Sequence, residues 1–130
     1  MNPYDAAHML AKALRESSEY KNFREAQEAL KSEASAREML LDFRKQQLEL
    51  QRQRLAGLEV APEQEEKLEK LYQIISMNLT VKRFMEAEYR FGLLMQDIQK
   101  IIAGATADLF DPDLLPDLEW GSEDNSHGNE

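Results

Sequence analysis

The sequence predicts an all-α protein of about five helices, in which two long antiparallel helices, at about 35–56 and 79–103, join shorter ones in a dimerising helical bundle. Three observations favour this fold class. Apolar residues recur at spacings of three and four along most of the chain, which is the helical period. Only five glycines and four prolines interrupt the 130 residues, so few turns are available. Ala, Leu, Glu, Lys, Gln and Arg, which have high helix propensity, dominate the composition.

The first two helices are short and are separated by two serines. Asn2 suits the N-cap of helix 1, and Pro3 suits its first helical position. Ser17 and Ser18 interrupt the apolar pattern and can cap helix 2, which then runs to about Lys31. In both helices, apolar residues recur at the helical period and form a stripe along one face.

Helix 3 is the long helix at about 35–56, and Gly57 ends it. It carries two apolar stripes that lie roughly 100° apart. The first stripe comprises Ala36, Leu40, Phe43 and Leu50, and the second comprises Leu41, Leu48 and Leu55 at seven-residue steps. A monomer of this size has too little core to cover both stripes, and a twofold-related copy of the chain would cover the second one. We therefore expect a homodimer.

Helix 4 begins at Pro62, and Asn78 either ends it or caps the following helix. Helix 5, at about 79–103, has the longest apolar pattern, and Gly104 ends it. Its apolar seam steps alternately by three and four residues through Val81, Phe84, Glu88, Phe91, Met95, Ile98 and Ile102. Because helix 4 lies between them in the sequence, we expect helices 3 and 5 to pack antiparallel.

Glu88 is the one charged residue in this seam, and a carboxylate among apolar residues is costly unless it is paired. It either contacts a basic group of a partner or forms a salt bridge within the chain. The second interpretation is favoured, because buried acids are usually paired. The available internal partners are Arg37, Arg44, Arg52 and Arg54. The helical spacing of Phe84, Phe91 and Met95 indicates core or dimer-seam residues rather than a cofactor pocket. The candidate interface comprises Leu41, Leu48, Leu55, Phe84, Glu88, Phe91, Met95 and Ile98.

Charge divides the chain into a helical domain at 1–105 and an acidic, mostly disordered C-terminal tail at 106–130. From 107 to 130 there are eight acidic residues and no Lys or Arg, whereas the other 106 residues carry 17 acids and 16 bases. Such a composition disfavours a packed core in the tail. Apolar residues interleaved with the acids leave two interpretations open: a solubilising extension, which is favoured, or a linear docking segment.

The sequence contains no catalytic or metal-binding pattern. Cysteine is absent, which excludes disulfides and thiolate ligands. The two histidines, His8 and His127, lie far apart, and no phosphate-binding or nucleophile motif accompanies them. We expect no enzyme activity and no cofactor. The near-neutral body and acidic tail disfavour nucleic-acid binding. Without a signal peptide or a stretch of about 18 apolar residues, we expect a cytoplasmic protein that does not enter membranes.

The chain contains NPYDAAHMLAKALRESSEY at 2–20, MLLDFRKQQLELQ at 39–51 and FMEAEYRFGLLMQDIQKII at 84–102. These three segments resemble the YlbF/YmcA-like family of bacterial proteins, found mainly in Firmicutes, and its YheA-type branch most closely. The resemblance covers about residues 1–105 and leaves out the tail. It implies an all-helical fold, frequent dimerisation and no enzymatic activity.

Two branches of that family act with a third protein as an accessory complex that supports RNase Y-dependent mRNA processing, and so influence competence, sporulation and biofilm formation. Iron–sulfur clusters are associated with that complex, but this chain has no cysteine, so cluster ligation is not carried over. Together, the residues and the resemblance predict a non-enzymatic dimeric regulatory adaptor that acts through protein–protein contacts, with RNA processing and developmental regulation as the implied processes. The alternatives are a helical chaperone-like client-binding protein and a small RNA-binding accessory protein that uses helix 3.

Overall fold

The computed structural model describes residues 1–114, which form five α-helices and one short 3-10 helix, with no strand in that range. The helices are α1 (Pro3–Glu16), α2 (Ser18–Lys31), α3 (Ala34–Leu55), α4 (Pro62–Ser76) and α5 (Leu79–Ala105), and the 3-10 helix is Ala107–Leu109. The predicted all-α fold class is confirmed, and the five predicted helices are present. The expectation that Gly104 ends helix 5 is wrong: α5 continues through Gly104 to Ala105, because Gly104, unlike Gly57, does not adopt a positive φ. Within the described range, no helix has the length and apolarity that crossing a membrane requires.

The N-termini of α2 and α5 are each capped by a side chain from the short connector before the helix. Ser17 Oγ accepts a hydrogen bond from the backbone N–H of Tyr20 at 3.1 Å, which caps α2. Asn78 Oδ1 accepts one from the backbone N–H of Val81 at 3.0 Å and so caps α5. A cap of this kind stabilises a helix by about 1 kcal/mol, because it satisfies an N–H group that has no partner inside the helix.

Gly57 ends α3 in a left-handed backbone conformation with φ of 80°. The N–H of Leu58 donates to the carbonyl of Gln53 at 2.9 Å, and the N–H of Gly57 donates to the carbonyl of Arg54 at 3.1 Å. These two bonds satisfy carbonyls of the last helical turn in a Schellman arrangement. Glycine is favoured here because a side chain is strained at positive φ. The chain then turns back into α4.

The third and fourth helices form an antiparallel hairpin. Near the connector, the side chain of Arg54 pairs with that of Glu65. Further from the connector, the rings of Phe43 and Tyr72 lie 5.6 Å apart. The residue of α4 with the higher number thus contacts the residue of α3 with the lower number. The two helices therefore run in opposite directions.

The first part of α5 runs in the same direction as α3. Thr80 Oγ1 donates to Glu33 Oε1 at 2.7 Å beside the start of α3, and Glu88 pairs with Arg44 further along both helices. The antiparallel packing that we expected for the two long helices is therefore wrong. The chain reverses at each short connector, so α4 is antiparallel to α3, and α5 returns to the direction of α3 after a second reversal.

Residues Met1–Phe91 form one compact unit, and a second unit begins at Gly92. The first unit has a continuous core made by α2, α3, α4 and the first part of α5. Its buried side chains are those of Leu30, Ala36, Leu40, Phe43, Ile75, Val81 and Phe84. The described part of the second unit consists of the end of α5 and the 3-10 helix. The division into a helical domain at 1–105 and a disordered tail at 106–130 stays a prediction, and residues 115–130 lie outside the described range.

Candidate interaction surface

The two apolar stripes of α3 differ in burial. The first stripe is buried throughout: Ala36, Leu40, Phe43 and Leu50. In the second stripe, the side chains of Leu41, Leu48 and Leu55 are 58%, 67% and 82% exposed. A single exposed leucine is ordinary, but three leucines at seven-residue steps make a continuous apolar strip along one side of a helix. We call the strip formed by Leu41, Leu48 and Leu55 the leucine strip.

Basic side chains flank the leucine strip. Lys45 and Arg52 are exposed and follow Leu41 and Leu48 by four residues, which places them beside the strip on the helix surface. Arg37 precedes Leu41 by one turn and lies in line with the strip. The acidic residues of this helix are rotated by roughly 100° from the strip. They are Glu38, Asp42 and Glu49.

One of the flanking bases has a partner on its own helix. Arg52 donates to Glu49 Oε1, and Gln53 Nε2 donates to Glu49 Oε2 at 3.2 Å. The hydrogen bond from Arg52 holds the pKa of Glu49 below its ordinary value, and the bond from Gln53 and the Arg52 charge act in the same direction. The pair is exposed, so it adds little to the stability of the fold.

The aromatic residues of the α5 seam pack against α2 within the first unit. Phe84 is 7% exposed, and its ring centroid lies 5.4 Å from that of Phe23. Phe91 is half-buried, with ring centroids 5.7 Å from Phe23 and 6.4 Å from Tyr20. These rings therefore belong to the packing of the chain itself.

The remaining members of the candidate interface lie in the second unit. Met95 and Ile98 are half-buried there. The structure thus keeps Leu41, Leu48 and Leu55 accessible, whereas it uses Phe84 and Phe91 in internal packing. The interface role of the whole set stays a prediction.

Glu88 forms the internal salt bridge that we favoured for it. The Arg44 guanidinium donates to the Glu88 carboxylate, and both side chains are half-buried. The same guanidinium carbon lies 5.6 Å from the centroid of the Phe84 ring. The sequence offered four arginines on helix 3 as partners, and only the placement of α5 beside α3 selects Arg44.

A groove of about 530 Å³ lies between α2 and the first part of α5. Ala26, Ala29 and Ala87 line it, together with exposed charged side chains that include Arg83 and Glu86. The groove has no signal in the sequence, because it forms between two helices that are distant in the chain. No histidine lines it, and within residues 1–114 no three acidic or histidine side chains are grouped as a metal site requires.

Comparison with known proteins gives the chain a family context. A family model described as control of competence regulator ComK, YlbF/YmcA, matches residues 4–105. A UPF0342 protein of Symbiobacterium thermophilum is 46% identical over 102 residues, which cover 78% of this chain and 91% of that protein. A UPF0342 protein of Halothermothrix orenii is 40% identical over 101 residues, which cover 78% of this chain and 86% of that protein.

One solved structure has a similar fold. It is a protein of unknown function (DUF964) from Bacillus stearothermophilus, with a TM-score of 0.70 and 23% sequence identity. The match covers 82% of this chain and 93% of that one. At this identity, the likeness supports the helical fold alone.

Proposed function

Because this chain belongs to the family described as control of competence regulator ComK, YlbF/YmcA, we propose that it is a non-enzymatic regulatory adaptor that acts through protein–protein contacts. The family description links its members to the control of a regulator, and this supports a regulatory role without naming its details. The two UPF0342 relatives described above do not carry the name of an enzyme.

The leucine strip is the observation that carries the finer proposal. Burying one leucine side chain contributes about 1.5–3 kcal/mol. Three exposed leucines in line on a well-formed helix are therefore a source of binding free energy for a partner that covers them. The rigid helix that presents them needs little ordering on binding, which lowers the entropic cost of association.

The proposal has further parts, which come from the residues or from what the family resemblance implies. The chain acts in the cytoplasm, belongs to the YheA-type branch and contributes to RNA processing or developmental regulation. It also forms a homodimer, which the small core of a 130-residue helical chain supports. Light scattering at micromolar concentration tests the dimer: twice the 15.0 kDa chain mass is expected, and a species of 15.0 kDa contradicts it.

Complementation in the native bacterium tests the regulatory role of the leucine strip. A strain that lacks the gene receives the wild-type chain, a Leu48→Glu variant or a Lys21→Glu control on the exposed surface of α2. We expect the wild type and the control to restore competence-dependent transcription and the Leu48→Glu variant to fail at equal protein level. Circular dichroism of the purified variant checks that its helices are intact. Full restoration by a folded Leu48→Glu variant would refute the proposal.

The exposed surface of α3 also supports the two alternatives. An apolar strip can hold unfolded clients, and suppression of aggregation of unrelated proteins would favour the chaperone-like function. The basic residues beside the strip, Arg37, Lys45 and Arg52, support RNA binding. Salt-dependent binding of a short RNA by the purified chain would favour that function.

A further inference from the structure

The leucine strip is one half of a heptad seam. The seam steps by four and three residues through Arg37, Leu41, Arg44, Leu48, Gln51 and Leu55. Leucine therefore occupies one seam position of each heptad, and arginine or glutamine occupies the other. A helix that covers this seam must accommodate the arginines as well as the leucines.

The chain itself provides an example of how such an arginine is accommodated. The Arg44 guanidinium pairs with the Glu88 carboxylate, and its central carbon lies 5.6 Å from the centroid of the Phe84 ring. Here, an apolar side chain and a carboxylate, one helical turn apart on α5, together cover one arginine of the seam. The same pair of groups on another helix would suit the rest of the seam.

The other basic residues of this surface have fewer partners. Arg37 donates to the backbone carbonyl of Lys31 at 2.9 Å and forms no ion pair within residues 1–114. Lys45 likewise has no ion pair within the described range. Arg52 pairs only with Glu49 of its own helix. The surface around the leucine strip thus carries positive charge that can pair with acidic groups of a partner.

A second copy of the chain matches this charge poorly. In a twofold pair of α3 helices, the same surface meets itself, so the seam arginines and Lys45 of one copy approach those of the other. Like charges brought together at an interface cost free energy. Of the three acids of α3, Glu49 pairs with a base of this surface, Arg52, whereas Glu38 and Asp42 form no ion pair in the described range.

We propose that the leucine strip binds an amphipathic helix of another protein, one that carries apolar residues at seven-residue steps and Asp or Glu beside them. The apolar residues cover Leu41, Leu48 and Leu55, and the carboxylates pair with Arg37, Lys45 and Arg52. This inference rests on the proposed function, because it names the class of partner for the same surface.

Binding of two designed helical peptides to the full chain tests the inference. Both peptides are three heptads long and carry leucine at the seam positions. One has Glu at the flanking positions, and the other has Lys at the same positions. By fluorescence anisotropy at low salt, we expect the acidic peptide to bind at least tenfold more tightly than the basic one. Raising the salt concentration should weaken the acidic complex several-fold, because the charges are exposed.

Charge reversal on the protein gives a readout that misfolding cannot mimic. In the Lys45→Glu/Arg52→Glu double variant, the acidic peptide should lose at least tenfold in affinity and the basic peptide should gain. The Leu48→Glu variant should bind neither peptide. The Lys21→Glu control, which changes an exposed lysine on α2, should bind the acidic peptide like the wild type.

Several results would overturn the inference and leave the regulatory proposal standing. Equal affinity for the two peptides, or no binding of either, contradicts an acidic partner. A homodimer that Leu48→Glu dissociates assigns the strip to a second copy. A short RNA that binds the wild type and loses binding in the Lys45→Glu/Arg52→Glu variant assigns the bases to nucleic acid. The complementation assay with Leu48→Glu tests the proposed function separately, since it requires no knowledge of the partner.

Discussion

The Arg44 guanidinium on α3 donates to the Glu88 carboxylate on α5, 44 residues further along the chain. The contact joins the two long helices and places the arginine over Phe84 at the edge of the core. Both charged side chains keep partial contact with solvent. The pair therefore avoids the large desolvation cost of a fully buried ion pair, and its contribution to stability is moderate.

Replacement of Glu88 by Gln removes the charge at nearly the same side-chain volume. We expect the free energy of unfolding to fall by about 0.5–1.5 kcal/mol, because Arg44 loses its carboxylate partner beside an apolar ring. Urea unfolding followed by circular dichroism measures the change. The matched control is Glu86→Gln, an exposed residue on the same helix without an ion pair in the described range, and it should change stability little. Equal effects of the two substitutions would contradict the structural role of the pair.

Ile75→Ala and Leu48→Ala should have very different effects on the free energy of unfolding, because Ile75 lies in the core and Leu48 lies in the leucine strip. Ile75 is fully buried, so its truncation leaves a cavity and should cost about 2–5 kcal/mol. Leu48 is 67% exposed, so its truncation should change the unfolding free energy by less than about 0.5 kcal/mol. Thermal or urea unfolding of dilute protein gives both values. A large loss for Leu48→Ala at low concentration would mean that the leucine strip is covered within the chain.

Two glycine substitutions should change the free energy of unfolding in opposite directions. Gly57→Ala places a side chain at φ 80° and should destabilise the fold by about 1 kcal/mol. Gly92 lies inside α5, and a Cβ built there meets no atom within 4 Å in the described range. Gly92→Ala should therefore stabilise the helix by about 0.5–1 kcal/mol. The pair is compared in one unfolding experiment. Destabilisation by Gly92→Ala that grows with protein concentration would indicate a helix of another copy against this position.

The Glu49 carboxyl should titrate below the ordinary range of a glutamate. Arg52 and Gln53 donate to its carboxylate and hold its pKa below the ordinary value. A lowered pKa in the folded state favours folding at pH values above the unfolded pKa, and this contribution is lost as the pH falls through the folded value. NMR titration of the side-chain carboxyl carbons measures it. Arg52→Gln should return the pKa toward its ordinary value, and an unchanged pKa would contradict the hydrogen bond.

Local signals explain why the helices could be predicted from the sequence. Ser17 and Asn78 accept bonds from N–H groups three residues ahead, and Gly57 adopts the positive φ that ends α3. Each of these residues acts on backbone groups only a few positions away. Its effect can therefore be predicted without knowledge of the rest of the fold. The expected antiparallel packing of helices 3 and 5 failed because helix direction depends on the number of chain reversals.

The sequence alone determined the all-α class, the number of helices and the two stripes of α3, because these depend on helical period and nearby hydrogen bonds. It also predicted that Glu88 pairs within the chain, from the cost of an isolated carboxylate in an apolar seam. Only the tertiary structure decided that Arg44 is the partner and that the first part of α5 runs in the direction of α3. Both outcomes depend on how helices pack beside α3, and that is set by contacts between residues far apart in the chain.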